Sequence, residues 1–204
     1  MAPNPPEACT RFSAVLLTGG RSLRMGLDKA LLPHPSSGQP LVLHQLETLR
    51  AAGAKEVFLS IRNGTDYPQV SADLSRLHDD GSRGPMAGIV AALAAAREPH
   101  LLVLAVDLPD VTPALLRKWL ARAPKKQGFV PIGPQGSEPL CALYPRTARP
   151  FFDSALASDR LALRNVVTAM CAVDLLYPMA LTPEEYKALT NWNSPADLTG
   201  GLNR

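Results

Sequence analysis

Short apolar runs alternate with stretches of helical spacing along the first half of this chain, and each run ends on polar residues. Phe12-Ser13-Ala14-Val15-Leu16-Leu17 stops at Thr18-Gly19-Gly20, Val57–Ile61 at Arg62-Asn63-Gly64, the short run Arg76-Leu77-His78 at Asp79-Asp80, and Leu101–Val106 at Asp107. Runs of this length suit strands buried on both faces of a parallel sheet. Between them, Leu41, Leu43, His44, Leu46, Leu49 and Ala52 follow Pro40 at helical spacing and stop at Gly53. Gly84-Pro85 opens a second helix through Ile89, Val90, Leu93 and Ala96, and Thr112-Pro113 caps a third carrying Leu115, Leu116, Trp119 and Leu120. The alternation predicts an α/β fold, a three-layer α/β/α sandwich with a mainly parallel sheet. Ligands of such sheets bind at the carboxyl ends of the strands, where all four polar endings lie.

The remaining elements are less regular. A weak helix is expected over Gln69–Ser75, strands over Gly128–Ile132 and Leu140–Tyr144 around Gly133-Pro134-Gln135-Gly136, and helices over Ala148–Ala157 and Ala162–Ala169. A strand at Ala172–Leu176, a capped helix at Thr182-Pro183-Glu184-Glu185 and a turn at Asn191-Trp192-Asn193 complete the reading. With 204 residues, 46% of them apolar, and no internal repeat or linker, the chain reads as one domain over 12–204. A proline-rich extension, residues 1–11, precedes it.

Charge and cysteine usage exclude several classes. Lys+Arg 21 against Asp+Glu 18 leaves +3, no footprint for nucleic acid. The longest uncharged apolar stretch, Met86–Ala96, is far short of the ~20 residues of a membrane span. Pro3, Pro5 and Pro6 stand where a secretory signal would be basic, so the reading expects a cytoplasmic protein. Cys9, Cys141 and Cys171 form no C-x-x-C spacing and suggest neither a disulfide framework nor zinc. His34, His44, His78 and His100 show no i, i+4 pair, which ranks zinc hydrolysis and hydrolytic triads low.

What remains is a loop, Gly19–Pro40, long for a compact domain and rich in Gly, Arg, Ser and Pro. Its segment Gly19-Gly20-Arg21-Ser22-Leu23-Arg24-Met25-Gly26 combines open backbone N–H groups with guanidinium forks, and Lys29 adds a mobile point charge. That suits a polyphosphate, although the loop is neither a P-loop nor a dinucleotide fingerprint. An ordinary Gly/Arg surface loop is the bland alternative. Asp107 emerges at a strand's carboxyl end, where it could bridge Mg²⁺ to phosphates or merely end the strand in an Asp-Leu-Pro turn. Asn191 and Asn193 offer amide oxygens to a metal, or simply form a helix-ending turn.

Taken together, these residues resemble the molybdenum cofactor guanylyltransferases, the MobA family of nucleotidyltransferases, from about Ser13 to Leu198. Leu17-Thr18-Gly19-Gly20 with Arg24-Met25-Gly26-Leu27-Asp28-Lys29-Ala30-Leu31-Leu32 is similar to the family's L-A-G-G-x-x-x-R-M-G-x-D-K-x-L-L. Gly84-Pro85-Met86-Ala87-Gly88 resembles its G-P-L-A-G, Asp107-Leu108-Pro109 its D-x-P, and Asn191-Trp192-Asn193-Ser194-Pro195 its N-x-N-T-P. Glu138-Pro139-Leu140-Cys141-Ala142-Leu143-Tyr144 resembles the family's segment before the central helix.

The resemblance implies a Rossmann-like nucleotidyltransferase fold and Mg²⁺-dependent transfer of GMP from GTP to the terminal phosphate of molybdopterin, with release of pyrophosphate. It implies that Leu17, Gly19 and Gly20 hold the nucleotide with Thr18 beside them, that Arg24 and Lys29 meet the phosphates, and that Asn63 and Asp79 hold base and ribose. Asp107, with Asn193, is expected to hold the metal, and Arg24, Lys29 and Asp107 to serve catalysis. Cofactor-biosynthesis proteins or apo-molybdoenzymes are the protein partners it suggests. Thr18 stands where the family has alanine, Met86 where it has leucine and Ser194 where it has threonine. Two alternatives stay open: an enzyme of the same fold using CTP or a sugar or alditol phosphate acceptor, and a non-catalytic nucleotide-binding module.

Overall fold

Side chains alternate strictly along the interior of β1 (Phe12–Leu17). Ala14 and Leu16 enter one apolar core and Val15 and Leu17 another, so the strand is buried on both sides. The computed structural model describes residues 11–19, 28–79 and 81–192. Within it β1 is flanked in parallel by β2 (Glu56–Arg62) and β4 (His100–Ala105), and β3 (Ser75–Asp79) adds in parallel beyond β2. Next to β4 the sheet changes sense, because β7 (Cys141–Pro145) runs antiparallel to it. β5 (Gly128–Gly133) follows, carrying the two-residue β6 (Gly136–Ser137) and pairing in parallel with β8 (Leu176–Ala180). The order is β3-β2-β1-β4-β7-β5-β6, with β8 on β5. The sheet is therefore mixed around a parallel core.

Helices cover both faces, giving the expected three layers. α1 (Leu41–Ala52) and α3 (Pro113–Arg122) pack on the side of Ala14, Leu16, Leu102 and Leu104. α2 (Pro85–Ala95), α4 (Arg149–Ala157) and α5 (Leu163–Ala172) pack on the side of Val15, Leu17, Leu101 and Val103. α1 ends at Gly53, whose φ of 106° lets its N–H reach back to the Arg50 carbonyl. α3 starts on the Thr112 hydroxyl, which accepts from the Leu115 N–H at 3.2 Å. Among the described residues, no helix is long and apolar enough to cross a membrane.

Two expected elements are replaced by others. No helix forms over Gln69–Ser75; the segment is a series of turns leading into β3. Tyr67, Val70 and Leu74 have helix-like spacing and are buried, but the Arg76 guanidinium takes up the carbonyls of Val70, Ser71 and Leu74 that a helix would use internally. In the second case α5 continues through Ala172, Asp174 turns the chain at φ 56°, and the strand begins only at Leu176. Val173, 60% exposed, has no core to enter, whereas Leu176 and Met179 are buried. Pro178 hides this strand from pattern reading, and β8 tolerates it because, among the described residues, β5 is the one strand paired with it.

The last helix among the described residues, α6 (Pro183–Lys187), is fixed by one buried carboxylate. Glu185 accepts from the Thr182 N–H at 2.9 Å and lies 2.9 Å from Lys118 Nζ and 3.1 Å from an Arg122 nitrogen. Burial alone would raise its pKa, but the Thr182 N–H and the two cations outweigh this and bring it down to about 2. The carboxylate therefore stabilises the fold above the ordinary glutamate pKa, and this contribution fades as pH falls from that value towards about 2. Glu185→Gln is expected to lower stability by about 1–3 kcal/mol at pH 7, since it leaves two cations with a weaker partner. Thermal melts should show the difference from the parent shrinking at pH 3; a deficit of the same size at both pH values would contradict the electrostatic account.

Candidate active site

The carboxyl end of β1 is tied to its neighbour before the chain enters the long loop. Both the Thr18 N–H (3.1 Å) and the Thr18 hydroxyl (2.8 Å) donate to the Ser60 carbonyl on β2. An alanine could make only the first of these bonds, so the threonine adds an anchor at the loop's entrance. At the far side of the loop Asp28 accepts from the Ala30 N–H at 3.0 Å and caps a single 3-10 turn, Lys29–Leu31. The buried Tyr67 hydroxyl donates to the other Asp28 oxygen at 2.8 Å. Burial and the neighbouring carboxylate push the Tyr67 pKa well above its ordinary value, which keeps it a donor. Asp28 and Tyr67, which sequence reading did not single out for the site, thus fix the turn that presents Lys29.

Two clefts open along the carboxyl ends of the strands. The first, about 350 Å³, is lined by Leu17, Gly19, Ser60, Arg62, Asp79, Gly81 and the start of α2 at Gly84-Pro85. Gly88 brings α2 close to it, because a Cβ there would run into Ser60 Oγ and lie 2.9 Å from Leu17 Cδ2. Asp79 is held by the Gly81 N–H at 2.7 Å and, more weakly, by the Ser60 hydroxyl at 3.4 Å. Asn63 sits at the end of β2, where its N–H donates to the Asp79 carbonyl at 2.7 Å; Ser60 and Arg62 are the β2 residues on the cleft wall. Alternation along β2 points every second residue to the same side, a signal in the sequence that favours Ser60 and Arg62 over Asn63.

Asp107 follows β4 and lies between the clefts' chemistry. Its carboxylate is 3.8 Å from Lys29 Nζ, with 27% and 19% of the respective side chains exposed. Burial raises the Asp107 pKa while the Lys29 ammonium opposes the rise. The second cleft, about 360 Å³, runs from Asp107 and Leu108 past Glu138-Pro139-Leu140 to Leu163, Arg164 and Asn191. Arg164 donates to the Ser137 carbonyl at 3.1 Å and stands 4.0 Å from Glu138, whose pKa is raised by burial and lowered by this guanidinium.

The loop around Asp107 is braced from three sides. The buried Gln45 amide of α1 donates to the Leu108 carbonyl. The Trp192 N–H donates to the Asp107 carbonyl at 3.0 Å and its indole N–H to Asp110 at 3.3 Å. His34 stacks on His44 at 3.8 Å, and its ring lies 6.1 Å from that of Trp192. Asn191 and Trp192 are therefore brought to the Asp107 loop, as their place in the sequence alone could not show. Gly20, Arg24 and Asn193 lie outside the described residues. Cys141 is buried in β7, where burial raises its pKa and leaves it an inert thiol.

Comparison with known proteins gives the family and the fold. Residues 14–173 match the model of the MobA-like NTP transferase domain. A protein of Opitutus terrae named probable molybdenum cofactor guanylyltransferase is 34% identical over 189 residues, covering 91% of this chain and 92% of its own length. Among solved structures, molybdopterin-guanine dinucleotide biosynthesis protein A from Archaeoglobus fulgidus superposes with a TM-score of 0.67 at 21% identity, covering 92% of this chain and 95% of its own. The 2-C-methyl-D-erythritol 4-phosphate cytidylyltransferase of Thermus thermophilus superposes with a TM-score of 0.68 at 19% identity, over 93% and 96%. Those two likenesses establish the nucleotidyltransferase-like fold and leave the base unassigned. The family match over most of the chain, with a relative of similar length at 34% identity, places the protein in the MobA-like NTP transferase family.

Proposed function

We propose that the protein is a molybdenum cofactor guanylyltransferase, transferring GMP from GTP to the terminal phosphate of molybdopterin in the molybdenum cofactor and releasing pyrophosphate. The observation that carries this reading is the Lys29–Asp107 pair at the carboxyl ends of the central strands, in a chain 34% identical to a relative of that name. Guanine and ribose occupy the first cleft beside Asp79, and the triphosphate passes Thr18 and Lys29 towards Asp107. The cofactor's phosphate enters from the second cleft. A phosphate oxygen of the acceptor forms the new bond to the α-phosphorus as the α–β bridging P–O bond breaks. The nucleophile is already ionised, so no general base is required.

Catalysis on this reading is positioning and charge compensation. Lys29 stands ready to offset negative charge on the transferred phosphoryl group and the departing pyrophosphate, and Arg24 is the second cation that the family resemblance assigns to the phosphates. Asp107 offers hard carboxylate oxygens on a partly buried site, a donor chemistry that fits Mg²⁺, with Asn193 as a second ligand. When bound, the metal would neutralise phosphate charge.

The test is transfer of α-phosphate-labelled nucleotide to molybdopterin, comparing GTP, CTP and ATP with and without Mg²⁺ while pyrophosphate is followed. GTP-selective, Mg²⁺-dependent labelling with equal pyrophosphate release is the expected result. CTP-selective labelling would move the protein to the cytidylyl branch of the fold, and no labelling by folded protein would overturn the proposal.

A further inference from the structure

The nucleotide cleft has a feature that phosphoryl transfer does not require. Arg62 ends β2 and stands in register with Asp79, the last residue of β3, so a guanidinium and a carboxylate emerge side by side on its wall. No ion pair joins them within 4.0 Å, and among the described residues no other carboxylate pairs with Arg62. Asp79 is fixed by the Gly81 N–H and the Ser60 hydroxyl, which leaves further lone pairs on both oxygens. Gly81 has φ +72° and bears no side chain; a Cβ there would lie 2.6 Å from Arg62 Nε and 3.1 Å from Arg62 Cζ. The backbone at Gly81 thus makes room for the guanidinium at the cleft.

We propose that Arg62 is the residue that selects guanine, donating to the base O6 while Asp79 accepts from its N1–H and 2-amino group. This inference rests on the proposed use of GTP. A guanine edge presents an acceptor followed by two donors, matching a donor and a carboxylate set side by side. Adenine and cytosine present an exocyclic donor followed by an acceptor at the ring nitrogen, so both would oppose Arg62 and Asp79 at once. Arginine is suited to this because its donors are fixed in a planar fork and its charge persists at every accessible pH. The discrimination comes from leaving the half-buried guanidinium and carboxylate unpaired when the wrong base covers them.

Binding of GTP and of 2-aminopurine riboside triphosphate, which lacks O6 and the N1 proton but keeps the 2-amino group, separates this role from a contact to ribose or phosphate, because each nucleotide is compared between the parent and the variant. In Arg62→Met, which keeps an apolar stem against Gly81, GTP affinity is expected to fall about 10- to 100-fold. Affinity for the 2-aminopurine nucleotide should stay within about 2-fold of the parent's, because the Asp79 contribution is common to both proteins. Gly81→Ala, which crowds the guanidinium, should shift the same ratio in the same direction, with thermal melts confirming that both variants fold. Equal losses for both nucleotides in Arg62→Met would overturn the assignment while leaving GTP use intact. A parent protein that binds CTP as tightly as GTP would overturn the guanine reading and this inference with it.

Discussion

Asp107→Asn is expected to lower kcat/KM for nucleotidyl transfer by about 10³-fold or more while leaving the melting temperature unchanged or slightly raised. The two halves of this result have one cause. Asp107 carries its charge in a partly buried place, where desolvation raises its pKa despite the ammonium of Lys29 at 3.8 Å. A carboxyl whose pKa is raised by folding costs stability once it ionises; the cost is absent well below the ordinary aspartate pKa and is complete above the raised one. Asparagine keeps the shape and removes the charge, so at pH 7 the fold is relieved while the oxygen donor for Mg²⁺ is weakened. Turnover measured over a range of Mg²⁺ concentrations, beside thermal melts, checks both. Parent-like turnover would sink the metal role, and a large drop in melting temperature would show instead that the carboxylate supports the fold.

The second large effect is expected at Lys29. Lys29→Met retains most of the side chain's volume and should reduce kcat by about 10²- to 10³-fold, with KM for GTP changed by less than about 5-fold. That split follows if the ammonium acts on charge that develops as the α–β bond breaks. A KM rise with kcat preserved would make Lys29 a simple ground-state binding group. Lys29→Arg should recover part of the rate, because the charge returns, but not all of it, because the 3-10 turn capped by Asp28 fixes where the longer, planar group can reach.

The positions of both residues were legible in the sequence for physical reasons, and their roles came from the family resemblance. Asp107 follows an apolar run that can only be a buried strand, and Lys29 lies in the loop after another such run. Strand ends of a parallel sheet converge on one edge, so residues far apart in the chain could be assigned to one site. Asn63 had its role in holding base and ribose from the family resemblance alone, and it was the structure that added Ser60 and Arg62 of β2 to the cleft wall. The misplaced helix at Gln69–Ser75 has a similar origin, since buried Tyr67, Val70 and Leu74 imitate helical spacing while Arg76, from the following strand, holds their carbonyls in turns.

The sequence by itself determined the layered α/β architecture and the polar strand ends, because apolar periodicity and turn residues act over a few positions and need no distant partner, while its motifs carried the resemblance to the family. Tertiary structure alone decided that β7 enters antiparallel beside β4, that Trp192 braces the Asp107 loop, and that Arg62 stands in register with Asp79. These are contacts between residues distant in the chain, set by how strands pair and which faces pack, and short-range sequence patterns do not encode them.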